Sequence, residues 1–407
     1  MTILLISSFY YPSFVGGAEI SVQMLAEGLS NAGNRVYVLV TGPTNKVYKV
    51  NNVIVISLKQ RNIFSICGGT GDVSAALKVV WHLIDSCNVF YHSTIKGLLN
   101  RIKPDIIHTN TIQGFSPFIW VAAKSYNVPL VHTTRDYYLL CHKCSLYNGG
   151  NCQKLCLPCK VTHSLKSRFV KLPDHIVGIS NYILDKHTPI LTNRQKASVI
   201  YNGVSLTDGA GYVKQPAETI CFGYIGRIAD DKGVGYLAKE LAALNSNYKS
   251  KIKVLFAGRG DGKFTADMQI ILKGIDHEFL NVVKPEDFYR RIDVLIVPSL
   301  WNEPFGRTVI ESLSYSVPVC QADTGGLKEL YSADTSWMFT PGTGALSAII
   351  KQIVDDKKQI AIKRENCRKQ AEKFSSGSYI NNHLQLYQQL VPNQLHFFEA
   401  DRAPVLL

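Results

Sequence analysis

Several features that would point to other kinds of protein are missing from this sequence. No apolar run approaches the length of about 18 residues that a membrane-spanning helix needs, so the protein is not expected to be integral to a membrane. No Asp-x-Asp motif occurs, which is the usual pair of carboxylates that binds a nucleotide diphosphate through a divalent metal ion. No zinc-finger, basic-region helix or ribonucleoprotein-type motif occurs, and nucleic acid is therefore not expected as a partner.

Acidic residues are scarce relative to basic ones. The chain carries 31 Asp and Glu against 44 Lys and Arg, a formal net charge of +13. This excess favours an anionic partner, and a nucleotide or a phospholipid surface is a stronger candidate than nucleic acid. Residues 1–14 lack the basic start of a signal peptide and are interpreted as a first strand. Ten cysteines without such a signal indicate a reducing compartment, with the cytoplasm as the expected location.

The length of 407 residues suits two domains of about 200 residues each, because single hydrophobic cores stop growing near about 250 to 300 residues. Apolar runs typical of buried strands alternate with helical segments in two sets, which predicts two mainly parallel sheets in Rossmann-like α/β domains. Strands are predicted at residues 2–9, 35–41, 105–109, 129–134 and 175–180, and in the second set at 219–226, 253–258, 279–283, 294–298 and 318–323. Residues 206–218 are the predicted linker.

The most informative stretch covers residues 298–311, which read Pro-Ser-Leu-Trp-Asn-Glu-Pro-Phe-Gly-Arg-Thr-Val-Ile-Glu. It follows an apolar run and opens a predicted helix near Gly306, so free N–H groups and the positive end of the helix dipole favour an anionic ligand such as a phosphate. Glu303 lies in the loop and Glu311 about a turn and a half into the helix. One carboxylate can therefore face the reacting end of a ligand while the other reaches a pair of hydroxyl groups.

Glu303-Pro304-Phe305-Gly306 followed by Glu311 resembles the Glu-x7-Glu signature of the family 4 retaining glycosyltransferases. The resemblance implies the α/β fold called GT-B, with two Rossmann-like domains facing across a cleft. It implies an acceptor-binding domain (residues 1–205), a nucleotide-sugar-binding domain (206–375), and a C-terminal helix and tail (376–407) that cross back to the first domain. The implied activity is retaining transfer of a sugar from a nucleotide-sugar to a glycan or lipid-linked acceptor, in the assembly of a cell-surface polysaccharide such as lipopolysaccharide or capsule.

The resemblance also implies roles for individual residues. Glu303 is expected to contact the transferred sugar and Glu311 the ribose of the donor. Arg227 and Lys232 are expected to bind the diphosphate together with the helix that begins near Gly306, so no catalytic divalent metal is required. The remaining donor-binding residues that the resemblance implies are Gly16, Gly17, Val283, Phe305, Arg307 and Thr308. Residues 258–262 read Gly-Arg-Gly-Asp-Gly and lack the third glycine of a dinucleotide fingerprint, so no redox cofactor is expected.

Four residues of the first domain are candidates for the reaction centre. Arg135-Asp136 follows a strand whose end carries His-Asp in the family, and both residues are predicted to be catalytic. Because Arg135 replaces the histidine, it is expected to donate to a sugar hydroxyl or a phosphate instead. Glu19, just after the glycine pair, is assigned to the acceptor side. His108 is either an acceptor-side residue or a packing residue at the end of its strand.

Half of the ten cysteines fall within nineteen residues and include two Cys-x2-Cys pairs: Cys141, Cys144, Cys152, Cys156 and Cys159. Such spacing suits tetrahedral zinc, and a structural zinc site is the first hypothesis. Buried thiols and redox chemistry remain the alternatives.

The same region is basic. Six basic and no acidic residues occur between positions 137 and 173, namely Lys143, Lys154, Lys160, Lys166, Arg168 and Lys171. Several cations together can hold a protein against an anionic bilayer without an inserted helix, so peripheral binding at the inner face of the membrane is predicted, with a solvated basic loop as the alternative.

Two other functions compete with glycosyl transfer. A nucleotide-sugar epimerase or phosphorylase of the same fold would need a similar donor site. A non-catalytic scaffold would bind the sugar nucleotide without transferring it, although the complete set of donor-site residues argues against lost activity.

Overall fold

The computed structural model describes residues 1–13, 16–65, 73–192, 195–206 and 218–391. The predicted linker, residues 206–218, lies outside the described residues except at its two ends, and the predicted tail is described only to residue 391. The chain forms two compact units. Unit 1 consists of Met1–Leu146, Gln153–Gly203 and the residues from Gly377 onward, and unit 2 of Tyr147–Cys152 and Val204–Ser376.

Unit 1 is built on an eight-stranded sheet with the order β3-β4-β2-β1-β5-β6-β7-β8. Its strands are β1 (Thr2–Ile6), β2 (Arg35–Gly42), β3 (Lys46–Val50), β4 (Val53–Lys59), β5 (Ile106–Thr109), β6 (Leu130–Thr134), β7 (His175–Gly178) and β8 (Lys196–Val199). Every neighbouring pair is parallel except the antiparallel pair of β3 and β4. The mainly parallel sheet is confirmed, but β3, β4 and β8 were not predicted.

Helices cover this sheet. They are α1 (Gly17–Asn31), α2 (Ala75–Ser86), α3 (His92–Ile102), α4 (Ile119–Lys124), α5 (Leu157–Ser167), α6 (Asn181–His187) and the last helix of the chain, α14 (Ser376–Leu390). Apolar residues three and four positions apart give α1 a buried face, formed by Val22, Leu25, Ala26 and Leu29. Helix α14 adds Tyr379 and Tyr387 to the same hydrophobic cluster. The predicted return of the last helix to the first domain is therefore confirmed.

Unit 2 is built on a six-stranded sheet with the order β11-β10-β9-β12-β13-β14. Its strands are β9 (Ile220–Ile225), β10 (Ile252–Ala257), β11 (Asp276–Leu280), β12 (Val294–Val297), β13 (Val319–Ala322) and β14 (Ser336–Phe339), and all neighbouring pairs are parallel. The connecting helices are α7 (Val234–Ala242), α8 (Ser246–Lys249), α9 (Gly262–Ile271), α10 (Pro285–Tyr289), α11 (Arg307–Ser314), α12 (Ala345–Asp355) and α13 (Lys358–Glu372). Strand β14 was not predicted, and β11 begins three residues before its predicted start.

The centre of this second sheet is a topological switch point. From β9 the chain proceeds outward through β10 and β11, whereas from β12 it proceeds in the opposite direction through β13 and β14. The loops after β9 and β12 therefore diverge and leave a crevice at the carboxyl ends of the strands, which is where open α/β sheets bind ligands. Among the described residues, no helix is both long enough and apolar enough to cross a membrane.

Candidate functional site

A pair of opposite charges occupies the switch point of unit 2. Lys232 ends the short 3-10 helix Asp230–Lys232 that follows β9, and Glu303 lies in the loop after β12. The Nζ atom of Lys232 lies 2.7 Å from Oε1 of Glu303, and the hydroxyl of Ser299 donates to the same oxygen at 3.0 Å. The lysine ammonium also lies 4.4 Å from the centroid of the Trp301 ring. Two residues predicted to bind different parts of the donor are therefore in direct contact.

Two glycines allow the surrounding loops to approach closely. Gly233 has φ +74°, and a Cβ atom there would lie 1.8 Å from the carbonyl oxygen of Pro298. Gly325 has φ +56°, and a Cβ atom there would lie 2.4 Å from the carbonyl oxygen of Glu303. Any side chain at either position would clash with the facing carbonyl, so the two glycines allow these loops to lie close together.

Helix α11 begins beside this pair. Gly306 is its N-cap, so the positive end of the helix dipole lies at this end of α11, where it favours an anion. One turn into the helix, Glu311 forms an ion pair with Arg307, with 2.7 Å between Oε1 and Nε. Burial raises the pKa of Glu311, and the neighbouring Arg307 guanidinium opposes that rise. The two predicted glutamates therefore lie in different settings. Glu303 contacts Lys232, and Glu311 contacts Arg307 of its own helix.

The two other predicted residues at this helix contribute through different parts of their structure. Phe305 is 3% exposed and packs edge to face against Phe374, with ring centroids 6.2 Å apart. Its side chain therefore belongs to the core, and its contact with the donor stays a prediction. Thr308 offers its carbonyl to the hydroxyl of Tyr289 at 3.3 Å.

The other predicted donor contacts of unit 2 lie nearer the surface. Arg227 follows β9 with its side chain 61% exposed, and it forms an ion pair with Asp231 at 2.5 Å. Val283 lies in the loop after β11 and is partly exposed. Both residues follow the carboxyl ends of strands in the sheet that carries Glu303, so their proposed roles stay open to test.

The glycine pair of unit 1 forms the start of α1. Gly16 is the N-cap, and its N–H donates to the carboxylate of Glu19 at 2.8 Å. A Cβ atom at Gly16 would meet no atom of the described residues within 4 Å, so these residues leave the backbone there open to close approach. Glu19 is 5% exposed and caps its own helix, and its role on the acceptor side stays a prediction.

Arg135 is buried and fully engaged within unit 1. Its Nε donates to Asn110 at 2.9 Å, and its two terminal nitrogens donate to Asn202 at 2.7 Å and to the Tyr379 hydroxyl at 2.8 Å. With 6% of its surface exposed, it joins β6 to α14. These hydrogen bonds give Arg135 a structural role, and its donation to a sugar or phosphate stays a prediction.

Asp136 is also buried, and it accepts a hydrogen bond from the N–H of Tyr138 at 2.8 Å. Burial raises the pKa of its carboxyl group to about 6, although that hydrogen bond opposes the rise. Asp136 lines a small cavity of about 10 Å³, enough for roughly one water molecule, together with Thr134 and Arg135. A carboxyl group with this pKa can exchange a proton near neutral pH, so its catalytic assignment stays a prediction.

His108 belongs to the core of unit 1. It is fully buried and has hydrogen-bonding partners on both sides, the Tyr387 hydroxyl at 2.6 Å and the Thr133 hydroxyl at 2.7 Å. Burial lowers its pKa well below the ordinary value, so the imidazole is neutral. These contacts fit the packing interpretation of His108, and its acceptor-side role stays a prediction.

The five cysteines are not gathered into one site. Cys141 and Cys159 come together with a histidine that the prediction missed, His142, and their ligand atoms lie within 4.8 Å of one another. The three other cysteines are outside that group: Cys144, Cys152 and Cys156. Cys152 belongs to unit 2. His142 directly follows Cys141, and this position in the sequence could have indicated that it belongs to the same group of ligands.

The basic region also needs a correction. Lys166 is 2% exposed, and its Nζ donates to the carbonyl of Tyr138 at 2.8 Å while lying 3.6 Å from the centroid of the Tyr138 ring. It is therefore unavailable to a membrane. The other five predicted cations are exposed: Lys143, Lys154, Lys160, Arg168 and Lys171.

Sequence reasoning also missed Asn151. Its amide nitrogen donates to the carbonyl of Leu300 at 2.7 Å, and its amide oxygen accepts from the N–H of Asn302 at 2.9 Å. These bonds hold the backbone next to Glu303 from the segment Tyr147–Cys152. No sequence pattern distinguishes this asparagine from one in an ordinary turn.

Two family models match the chain and together span most of it. The model described as Glycosyltransferase Family 4 matches residues 15–208, and the model described as Glycosyl transferases group 1 matches residues 213–374. A Klebsiella pneumoniae protein described as an uncharacterized 42.6 kDa protein in the cps region is 35% identical over 334 residues, which are 81% of this chain and 87% of the relative. The capsular polysaccharide biosynthesis glycosyltransferase CapM of Staphylococcus aureus is 27% identical over 171 residues, 40% of this chain and 45% of CapM.

Solved structures resemble the whole chain. Sucrose-phosphate synthase from Thermosynechococcus elongatus gives a TM-score of 0.76 at 20% identity, covering 95% of this chain and 98% of the other. Anabaena HepE in complex with UDP and glucose gives a TM-score of 0.69 at 18% identity, covering 96% and 100%. At these identities the likeness establishes the fold, and the predicted GT-B fold class is confirmed.

Proposed function

This chain belongs to the family 4 glycosyltransferases, and we propose that it transfers a sugar from a nucleotide-sugar donor to a glycan or lipid-linked acceptor with retention of anomeric configuration. The proposed setting is the assembly of a cell-surface polysaccharide such as a capsule or lipopolysaccharide. Support for this setting comes from the Klebsiella relative, which is described by its cps region, and from CapM, which is named for capsular polysaccharide biosynthesis.

The observation that carries the proposal is the contact of Lys232, Glu303 and Ser299 at the switch point of unit 2, beside the start of α11. The ammonium group and the positive end of the helix dipole together offer positive charge to a departing diphosphate. Arg227 adds a second cationic side chain in this scheme. Charge compensation of this kind replaces a divalent metal ion, in keeping with a sequence that has no Asp-x-Asp motif.

In the proposed reaction the Glu303 carboxylate positions the transferred sugar and offsets the positive charge that develops on its ring. The acceptor hydroxyl attacks the face from which the diphosphate leaves, and a diphosphate oxygen takes the proton of that hydroxyl. The C–O bond to the diphosphate breaks as the new glycosidic bond forms, so the product keeps the configuration of the donor. Glu311 binds the ribose, which requires that its ion pair with Arg307 leave at least one carboxylate oxygen accessible.

A donor screen that measures nucleotide release tests the proposal. UDP-glucose is a suitable first donor, since HepE has been solved in complex with it. Release of nucleotide is expected to require both a matching donor and an acceptor, supplied first as a lipid extract of a polysaccharide-producing strain. Turnover without acceptor that changes the sugar would indicate an epimerase, and binding without turnover across the panel would indicate a scaffold.

Variants of Glu303 separate charge from shape. Glu303→Gln is expected to lower turnover strongly while leaving nucleotide binding nearly intact, and Glu311→Gln is expected mainly to weaken donor binding. The matched control is Glu278→Gln, which removes a carboxylate from an exposed ion pair with Arg291 in the same unit. Wild-type turnover in Glu303→Gln would contradict the assignment.

We further propose that the protein acts in the cytoplasm, bound peripherally to the inner face of the membrane. Helices α2 and α5 pack together in unit 1 and expose apolar side chains: Leu77, Val79, Val80 and Leu83 on α2, and Leu157 and Val161 on α5. Five exposed cations occur on α5 and in the adjoining segments. Exposed apolar side chains on two packed helices, together with exposed cations, suit an anionic bilayer, with each cation contributing about 1 kcal/mol.

Sedimentation with vesicles of phosphatidylglycerol and phosphatidylcholine tests the membrane proposal. Binding is expected at low salt, reduced at high salt, and lost in the double variant Val79→Glu with Leu157→Glu. The matched control is Ile270→Glu, an exposed isoleucine on α9 of unit 2. Equal binding by wild type and the double variant would refute docking through α2 and α5.

A further inference from the structure

Two cysteines and a histidine of unit 1 have the arrangement of three zinc ligands. The Sγ atoms of Cys141 and Cys159 lie 3.5 Å apart, and Nδ1 of His142 lies 3.2 Å from the sulfur of Cys159. Around tetrahedral zinc, two sulfur ligands are about 3.8 Å apart and a sulfur and a nitrogen ligand about 3.5 Å apart, given metal distances of about 2.3 and 2.0 Å. Small shifts of the three side chains therefore suffice to admit the ion.

We propose that Cys141, His142, Cys156 and Cys159 bind one structural Zn²⁺ ion. Cys156 is the N-cap of α5 and Cys159 lies in its first turn, so the two face the same side of the helix. The Cys156 thiol neighbours that of Cys159 and is exposed, which leaves its side chain room to rotate toward the other three ligands.

The two remaining cysteines have other settings. Cys144 packs against the hydrophobic core of unit 1, and its carbonyl accepts from the N–H of Tyr137. Cys152 is exposed and belongs to unit 2. The ligand set is thus three cysteines and one histidine, which differs from the set that cysteine spacing alone suggests.

The proposed zinc ion joins the two ends of the loop that contains Asn151. Residues 143–155 run between the two pairs of ligands, and within them Asn151 holds the backbone at Leu300 and Asn302, next to Glu303. Because zinc joins the two ends of this loop, the loop has fewer conformations available to it. Less conformational entropy is then lost when Asn151 takes its observed position. Loss of the metal is therefore expected to lower the melting temperature and to raise the KM for the donor.

Elemental analysis of the full-length protein, purified without chelator, tests the proposal. One zinc per chain is expected in the wild type and in Cys152→Ser, and the zinc content of Cys156→Ser and His142→Ala is expected to fall at least severalfold. Cys152→Ser is the matched control, because it removes an exposed thiol of the same loop. Equal loss in Cys152→Ser and Cys156→Ser would overturn the ligand set.

A second measurement needs no variant and remains valid if a variant fails to fold. X-ray absorption of the wild type at the zinc edge is expected to give three sulfur neighbours and one nitrogen neighbour at about 2.3 and 2.0 Å. A folded and active protein without metal, one that contains iron instead, or one whose mass shows a disulfide between Cys141 and Cys159 would each overturn the proposal.

Discussion

Replacing Lys232 by methionine removes one charge from the centre of the proposed donor site and keeps most of the apolar side chain. The pair of Lys232 and Glu303 is partly buried, with side-chain exposures of 22% and 14%. Its loss should cost more than the ~1 kcal/mol of an exposed pair and less than the ~3 to 5 kcal/mol of a buried one, because the Ser299 hydroxyl still donates to Glu303. We expect the free energy of unfolding to fall by about 1 to 3 kcal/mol.

The same change should weaken donor binding, because Lys232 is assigned to the diphosphate. A charge-assisted hydrogen bond contributes about 1.5 to 3 kcal/mol, which corresponds to a rise of about 10- to 150-fold in Kd. Calorimetric titration with UDP and with the donor found in the screen measures this directly. The matched control is Lys253→Met, since Lys253 forms an exposed pair with Asp276 at 3.7 Å. Unchanged affinity in Lys232→Met would refute the diphosphate assignment.

Three further predictions concern stability. Gly233→Ala should destabilise unit 2 by more than about 2 kcal/mol in urea unfolding. Gly262→Ala is the control and should have little effect, because a Cβ atom there has open space. Equal urea midpoints for the two variants would contradict this prediction. Arg135→Met should lower the free energy of unfolding by about 2 to 4 kcal/mol, because three buried oxygens lose a donor. Burial lowers the pKa of His132 to about 3. Between pH 6.5 and 3 the unfolded chain therefore binds a proton that the folded chain does not. As the pH drops from 7 to 5, this group should lower the free energy of unfolding by about 2 kcal/mol. Burial raises the pKa of Asp136 to about 6, which offsets part of that loss below pH 6, and a melting temperature independent of pH would contradict the histidine argument.

Much of the fold could be predicted because the central strands are continuous apolar runs. Strands such as β1, β6 and β12 are buried on both faces of their sheets, and their sequences show it. The missed strands β3, β8 and β14 lie at sheet edges, where one side has no neighbouring strand and the apolar run is short. Strand β4 is apolar, but it follows β2 and β3 without a helix and so falls outside the strand–helix alternation on which the prediction relied.

The candidate site could be predicted only in part, because a motif reports residue types and their spacing but not burial. Glu303 was assigned correctly to the loop that follows a strand, and Lys232 ends the short 3-10 helix that follows β9. Arg135 and His108 have chemistry suited to an active site, yet both are buried among partners from α14, which is remote in sequence. Asn151 was missed for the same reason, because its importance depends on contacts with residues about 150 positions away.

The central claim is that this protein transfers a sugar with retention at the site formed around Glu303. Proton NMR of the glycoside product, recorded during turnover before any later anomerisation, measures the configuration of the new anomeric centre directly. The account predicts the same configuration as in the donor, so an α-linked nucleotide-sugar should give an α-linked product. An inverted, β-linked product from an α-linked donor would contradict it.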